Sequence, residues 1–234
     1  MLNEATVTDA HPLPRIEDIL QRQGKFRIWS VLDMKDGFHQ VPPKNEHRHL
    51  KCMTTPRGTK QWTVLAMGLK NGGAVFQRMM EWVLDGIPST DVYIDDVVIG
   101  SDGATLEEAI LNHEKDLRTT LDRLEQHELG VDPKKAQMFV LEIEFCGHLM
   151  REGRRRPAPG KLLALQKWEL PRTVTQLRGF LGLANYYSTY VPHYAELAAP
   201  LMAKLQLNRI DGKMGQKCRL SGNPRTFWHL NDSR

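Results

Sequence analysis

The 234-residue chain is 41% hydrophobic and 26% charged, with a formal net charge of +4, the make-up of an ordinary globular protein with ample material for a core. No stretch approaches eighteen uninterrupted apolar residues, which excludes an apolar membrane-spanning helix. Three scattered cysteines (Cys52, Cys146 and Cys218) argue against a zinc cluster and suit a reducing compartment. The charge is uneven: residues 151–234 hold 15 Lys/Arg against 5 Asp/Glu, and residues 1–150 hold 17 against 23. That asymmetry suits a protein that holds cations in one part and a polyanion in the other.

The first residues carry no basic segment followed by an apolar one, so the expected location is intracellular, cytoplasmic or nuclear, and not secreted. His11-Pro12-Leu13-Pro14-Arg15 must run extended because of its prolines. Residues 16–23 form a short helix ended by Gly24. Residues 26–33 read as a strand whose last member is Asp33, and residues 37–41 follow until Pro42-Pro43 breaks them. A hairpin projects over about 42–66. His47 and His49 are two apart on that presumed strand, share a face, and read as surface polar residues because no third ligand accompanies them. Residues 68–73 are a glycine-rich loop, and residues 74–84 are a helix closed by Gly86 and Pro88.

Asp91-Val92-Tyr93-Ile94-Asp95-Asp96-Val97-Val98-Ile99-Gly100 is the most informative stretch. β-Branched and aromatic residues flank two adjacent carboxylates, which predicts two short strands folded back with Asp95 and Asp96 at the tip and the run stopped at Gly100. Neighbouring side chains on a flat strand point to opposite faces, so only a turn lets both serve one site. Aspartate also suits a plain turn, so this stretch alone leaves the metal reading open. Asp33 ends another strand. If the two strands are neighbours, three carboxylates meet at one edge, an oxygen donor set that suits Mg²⁺.

A capping-box pattern at residues 105–108 opens a long helix, with Leu106, Ile110, Leu117, Leu121 and Leu124 as its apolar stripe and Gly130 as its end. Residues 139–141 and 143–150 predict a further β pair. A basic, proline-bearing connector at 151–159 marks a domain boundary. Beyond it, residues 161–168, 175–190 and 193–205 read as helices, and 208–234 as a loosely ordered basic tail. The whole is α+β: an antiparallel sheet backed on one side by helices, with a smaller helical unit.

The run Leu32-Asp33-Met34-Lys35-Asp36-Gly37-Phe38-His39-Gln40, then Met67-Gly68-Leu69-Lys70-Asn71 with Phe76-Gln77-Arg78-Met79-Met80, then Tyr93-Ile94-Asp95-Asp96, resembles the palm motifs of a reverse transcriptase. Phe145-Cys146-Gly147-His148 and residues 180–187 narrow the resemblance to the Pol polyproteins of gypsy-type long-terminal-repeat retrotransposons. It runs from about Leu2 to Leu205 in the family's order; any one motif is weak, and five in order are specific.

The resemblance implies a right-hand polymerase fold: palm with partial fingers over 1–150, helical thumb and connection over 151–207. It implies RNA-directed DNA synthesis, with Asp33, Asp95 and Asp96 as catalytic carboxylates holding two Mg²⁺ ions (Mn²⁺ able to substitute). Met34, Phe38, Met67 and Gly68 would meet the incoming dNTP, Phe38 as the aromatic gate against a ribose 2′-hydroxyl. Phe38 also argues against an RNA-dependent RNA polymerase. Cys146, Gly147 and His148 would grip the primer end, and Arg151, Arg154, Arg155 and Arg156 would meet template-primer phosphates. Leu2-Asn3 matches the end of a motif whose arginine precedes it, so part of the fingers is expected to be missing. Gly72-Gly73 stands where the family has Ala-Pro or Ser-Pro, and Ala66 where it has Pro. Ribonuclease H and integrase would be neighbours in a longer polyprotein, with Phe227-Trp228 at the edge of the former. The rival is a non-catalytic remnant that keeps the fold and binds nucleic acid.

Overall fold

The computed structural model describes residues 2–151, 153–169 and 171–210. In chain order the elements are α1 (Leu2–Ala5), α2 (Ile16–Gln23), β1 (Ile28–Asp33), β2 (Cys52–Thr55), β3 (Gly58–Gln61), α3 (Gly72–Val83), β4 (Thr90–Tyr93), β5 (Asp96–Ser101) and α4 (Leu106–Gln126). Then come β6 (Gln137–Val140), β7 (Glu142–Phe145), β8 (His148–Arg151), β9 (Arg154–Pro157), α5 (Pro159–Gln166), α6 (Val174–Tyr186) and α7 (Tyr194–Ile210). The chain divides into two compact units, Met1–Arg155 and Arg156–Arg234.

The first unit is built on a four-stranded antiparallel sheet in the order β4-β5-β1-β6. β5 lies in the middle and is buried from Val97 to Ser101, so its run of Val and Ile needs no alternation. Phe76, Met80 and Val83 of α3 and Leu117 and Leu124 of α4 cover Leu32, Val97 and Ile99 on one face. The opposite face is covered too. Ile19 and Leu20 of α2 join Ile143, Phe145 and Met150 of the β7–β8 hairpin over Trp29 and Val98. The expectation of a sheet backed on one side therefore changes to a three-layer arrangement, because α2 and β7–β8 carry enough apolar surface to close the second face.

Four local readings are also revised. β6 pairs with β1, not with the strand after it, and residues 143–150 are themselves a hairpin folded at Cys146-Gly147. Cys146 (φ 46°) and Gly147 (φ 75°) both lie in the left-handed region, the two-residue turn whose twist matches the flanking strands. The projecting hairpin is β2–β3, shorter than 42–66, and His47 and His49 lie on a 3-10 turn, Asn45–Leu50, ahead of it. Gly72-Gly73 forms the first turn of α3 and not a loop. Finally, Gly100 does not stop β5. It sits opposite Trp29 within the sheet, and a Cβ there would come within 2.3 Å of Phe26 and 2.4 Å of the Gln23 amide. Only glycine lets the end of α2 approach so closely.

α4 is capped as expected, Thr105 Oγ1 accepting from the Glu108 N–H at 3.2 Å. Its buried stripe differs. Leu106 and Ile110 are exposed, while Ala109, His113, Leu117, Thr120 and Leu124 face the sheet. His113 and Thr120 can be inside because their polar atoms are bonded there, which hydrophobicity alone does not reveal.

In the second unit, Leu177, Phe180, Leu181 and Ala184 of α6 pack with Tyr187, Val191 and Ala198. Thr173 and Gln176 close a capping box at the start of α6. The expected tail lies outside the described residues from 211 onward, as does Phe227-Trp228.

Candidate active site

The β1–β5 register decides what the three aspartates can do. Asp33 is paired directly with Asp96, and Tyr93 with Asp96 on the other side, leaving Ile94-Asp95 as a two-residue turn. Directly opposed residues share a face, and by the alternation along each strand it is the face of Trp29, Val31 and Val98. Asp33 and Asp96 thus stand side by side at the end of the buried apolar layer, and Asp95 projects from the exposed tip. The tip is tied to β1, for the Met34 N–H donates to the Asp95 carbonyl at 3.0 Å. Gly37 is buried beneath it, where a Cβ would stand 3.5 Å from that of Asp95 and 3.2 Å from the Phe76 ring.

The carboxylates feel one another. Burial first, then the charges of Asp95 and Asp33, push the Asp96 carboxyl above its ordinary value. One cation sits among them: Lys135 Nζ donates to Asp33 Oδ1 at 2.9 Å, and its pKa is raised by that bond and by the charges of Asp33, Asp132 and Asp95. The cluster therefore holds more negative charge than its lysine offsets, and its donors are all oxygen, a fit for a hard divalent ion. Among the described residues no group of three or more His, Cys, Asp or Glu side chains is arranged to hold a metal ion.

Lys135 carried no signal in the sequence, where Pro133-Lys134-Lys135 reads as a solvated loop. Pairing across the fold brings it in. Lys35 N–H donates to the Gly130 carbonyl at 3.0 Å and Asp132 N–H to the Asp33 carbonyl at 2.8 Å. The Gln40 amide clamps Gly130 from both sides, accepting from its N–H at 2.6 Å and donating to its carbonyl at 2.9 Å.

The remaining sequence candidates divide. Cys146, at the β7–β8 turn, lies close enough to the site for the charges of Asp96 and Asp95 to add to burial, and its thiol is pushed up to about 12. His148 is 4% exposed, with its pKa lowered by burial and with Glu17 and Arg155 nearby. Phe38 is half-buried, its ring 5.4 Å from that of Phe76 and against Gly72. Met34 is 2% exposed, and its side chain packs in the core cluster with Leu32, Phe76 and Val97. Met67 is exposed, and Gly68 (φ 77°) turns the loop beside it, its carbonyl accepting from Asn3 Nδ2 at 2.8 Å. Arg151, Arg154, Arg155 and Arg156 are all exposed, and Arg151 lies 3.8 Å from Glu142.

Comparison with known proteins agrees with this architecture. Residues 1–150 match the family model described as reverse transcriptase (RNA-dependent DNA polymerase). The chain is 30% identical over 207 residues to the retrovirus-related Pol polyprotein from transposon 297 of Drosophila melanogaster, covering 88% of this chain and 19% of that protein. It is 31% identical over 202 residues to the Pol polyprotein from transposon gypsy of the same fly, covering 86% and 19%. It is 36% identical over 211 residues to the enzymatic polyprotein of cauliflower mosaic virus (strain NY8153), covering 88% and 30%. The chain thus spans 19% to 30% of the length of these relatives. In structure it is similar to a foamy viral protease-reverse transcriptase in complex with double-stranded DNA. The TM-score is 0.82 at 23% identity, over 96% of this chain and 38% of that one. A second structure of that viral protein, with an RNA/DNA hybrid, gives 0.75 at 23% identity, over 88% and 27%. A palm-type α+β fold, the ordered motifs and these relatives lead to one conclusion: the chain belongs to the reverse transcriptase family, as a domain of the kind carried by gypsy-type retrotransposon Pol polyproteins.

Proposed function

We propose that this chain is the nucleotide-adding part of an RNA-directed DNA polymerase, joining a dNTP to a primer 3′-hydroxyl. The observation that carries the reading is the direct pairing of Asp33 with Asp96 beside the exposed Asp95, with Asp96 held above its ordinary pKa by burial and its acidic neighbours. Asp33 and Asp95 would be the principal ligands and Asp96 the third carboxylate. Two Mg²⁺ ions, when bound, lower the pKa of the primer hydroxyl and offset charge on the departing pyrophosphate. Lys135, now bonded to Asp33, would release it to a bound ion and leave its positive charge beside the triphosphate. The half-buried Phe38 ring lies under the sugar and excludes a 2′-hydroxyl. The Cys146-Gly147 backbone meets the primer end, and the exposed arginines at 151 and 154–156 meet phosphates of an RNA or DNA template-primer. Ribonuclease H and integrase units belong to the same product if the chain is part of a longer polyprotein.

Primer extension on an RNA template with Mg²⁺ tests the reading. Labelled primer should lengthen with dNTPs, fail to lengthen with rNTPs, and stay unextended in Asp95→Asn. Salt-sensitive binding of template-primer with no extension by the parent would replace this reading with the non-catalytic remnant.

A further inference from the structure

The turn that carries Asp95 is bent in a way its own sequence disfavours. A two-residue hairpin turn with its first central residue at positive φ calls for glycine there, and this chain has Ile94 at φ 56°. A β-branched side chain in the left-handed region is an outlier that persists only when its surroundings impose it. The first central N–H of such a turn also has no partner within the hairpin.

Gln77 answers both needs. It lies on α3 between Phe76 and Met80 and is 0% exposed. Its Oε1 accepts from the Ile94 N–H at 2.6 Å, and its Nε2 donates to the Val92 carbonyl at 3.2 Å and to Glu81 Oε1 at 2.9 Å. The amide can sit only this way round. Reversed, its nitrogen would face an N–H, and its oxygen would face a carbonyl and a carboxylate. Glu81 is held in turn by His11, whose Nε2 is 2.9 Å from Glu81 Oε2. The tip is thus gripped from both sides, at the Asp95 carbonyl by Met34 and at the Ile94 N–H by Gln77.

We infer that Gln77 is a positioning residue: its buried amide holds the strained Ile94 turn so that Asp95 and Asp96 are presented together to a divalent cation. The inference rests on the cation-holding reading of the aspartate cluster. Gln77 touches no reacting group and acts through the backbone on either side of Ile94.

Hydrogen exchange and Mn²⁺ binding test it on the full chain. The Ile94 amide, although beside the exposed Asp95, should exchange at least about a hundredfold slower than an open peptide; free-peptide exchange would overturn the inference without any mutant. Gln77→Met keeps the volume and loses the bonds. It should weaken Mn²⁺ binding, read from the free-ion signal in electron paramagnetic resonance, by about tenfold. Adding Ile94→Gly removes the strain, so Gln77→Met/Ile94→Gly should recover most of that affinity, which a general loss of packing would not allow. Parent-like Mn²⁺ affinity in Gln77→Met, or no recovery in a folded double variant, would overturn the inference. Absence of Mn²⁺ binding by the parent would instead remove the cation reading of the cluster, and Ile94 exchange alone would then decide the clamp.

Discussion

Asp96 is subject to two demands that oppose each other. The fold would prefer it neutral, since burial and the adjacent Asp95 and Asp33 raise its pKa, whereas a cation needs it ionised. The linkage follows from the sign of that shift. Between the unfolded value of 3.8 and the raised folded value, the native state binds more protons than the unfolded one. Stability therefore falls as pH rises through that window, and at neutral pH the whole penalty is present. Asp96→Asn should accordingly raise the thermal midpoint at pH 7 in the absence of divalent ions, and lose the difference below about pH 4. The same variant should weaken Mn²⁺ binding by about tenfold or more. Calorimetry with and without Mn²⁺ measures both. A lowered midpoint at pH 7 would mean that Asp96 serves the fold and not the ion.

Among the elements, α4 is fastened to the sheet by a chain of polar groups that the hydrophobic stripe conceals. Phe139 N–H donates to Ser30 Oγ at 3.1 Å, and Ser30 Oγ lies 2.7 Å from His113 Nε2. Ser101 Oγ lies 3.0 Å from His113 Nδ1 and donates to Asp116 Oδ2 at 2.6 Å. Every hydrogen is used if His113 is neutral with its proton on Nδ1. Protonation adds a donor at Nε2 where Ser30 must then accept twice, and burial lowers the His113 pKa despite the Asp116 charge. Burial also lowers that of His148. For both, the unfolded chain binds more protons below about pH 6.5, so stability is complete above that value and falls as pH drops through it. His113→Leu should remove part of this acid dependence. It should also cost about 2–4 kcal/mol at pH 8, because the Ser30 and Ser101 hydroxyls lose buried partners. Urea melts at pH 8 and pH 5.5 measure both effects. An unchanged pH dependence would show that the imidazole titrates elsewhere or not at all.

For the molecule as a whole, the division of charge matters more than any single ion pair. An acidic first part carries the aspartate cluster, and the basic second part begins at the connector, where Arg151, Arg154, Arg155 and Arg156 are exposed. If those arginines meet phosphates, replacing all four by Gln should lower the slope of log affinity against log salt by about 3 for an RNA/DNA hybrid, since each phosphate left without its arginine takes away about 0.7–0.9. Fluorescence anisotropy across a salt series measures the slope. An unchanged slope would mark the run as a solvated face.

The ordered motifs indicated a palm through their resemblance to the reverse transcriptase family, while the apolar strands flanking Asp95-Asp96, the strand ending at Asp33 and the capped helix are each set by local propensity and spacing. The β6–β1 pairing and the covering of the sheet's second face were not legible, since each depends on which apolar surfaces meet across long separations. The site divides the same way. Asp33, Asp95 and Asp96 could be named because carboxylates at strand ends are conspicuous and, here, fall on the motifs of the family the sequence resembles. Lys135, Gln40, Gln77 and His113 could not, because a lysine, an amide or an imidazole acquires its role only from the atoms opposite it. Local chemistry fixes what a segment is; partners brought from more than a hundred residues away, as Lys135 is to Asp33, decide what a side chain does.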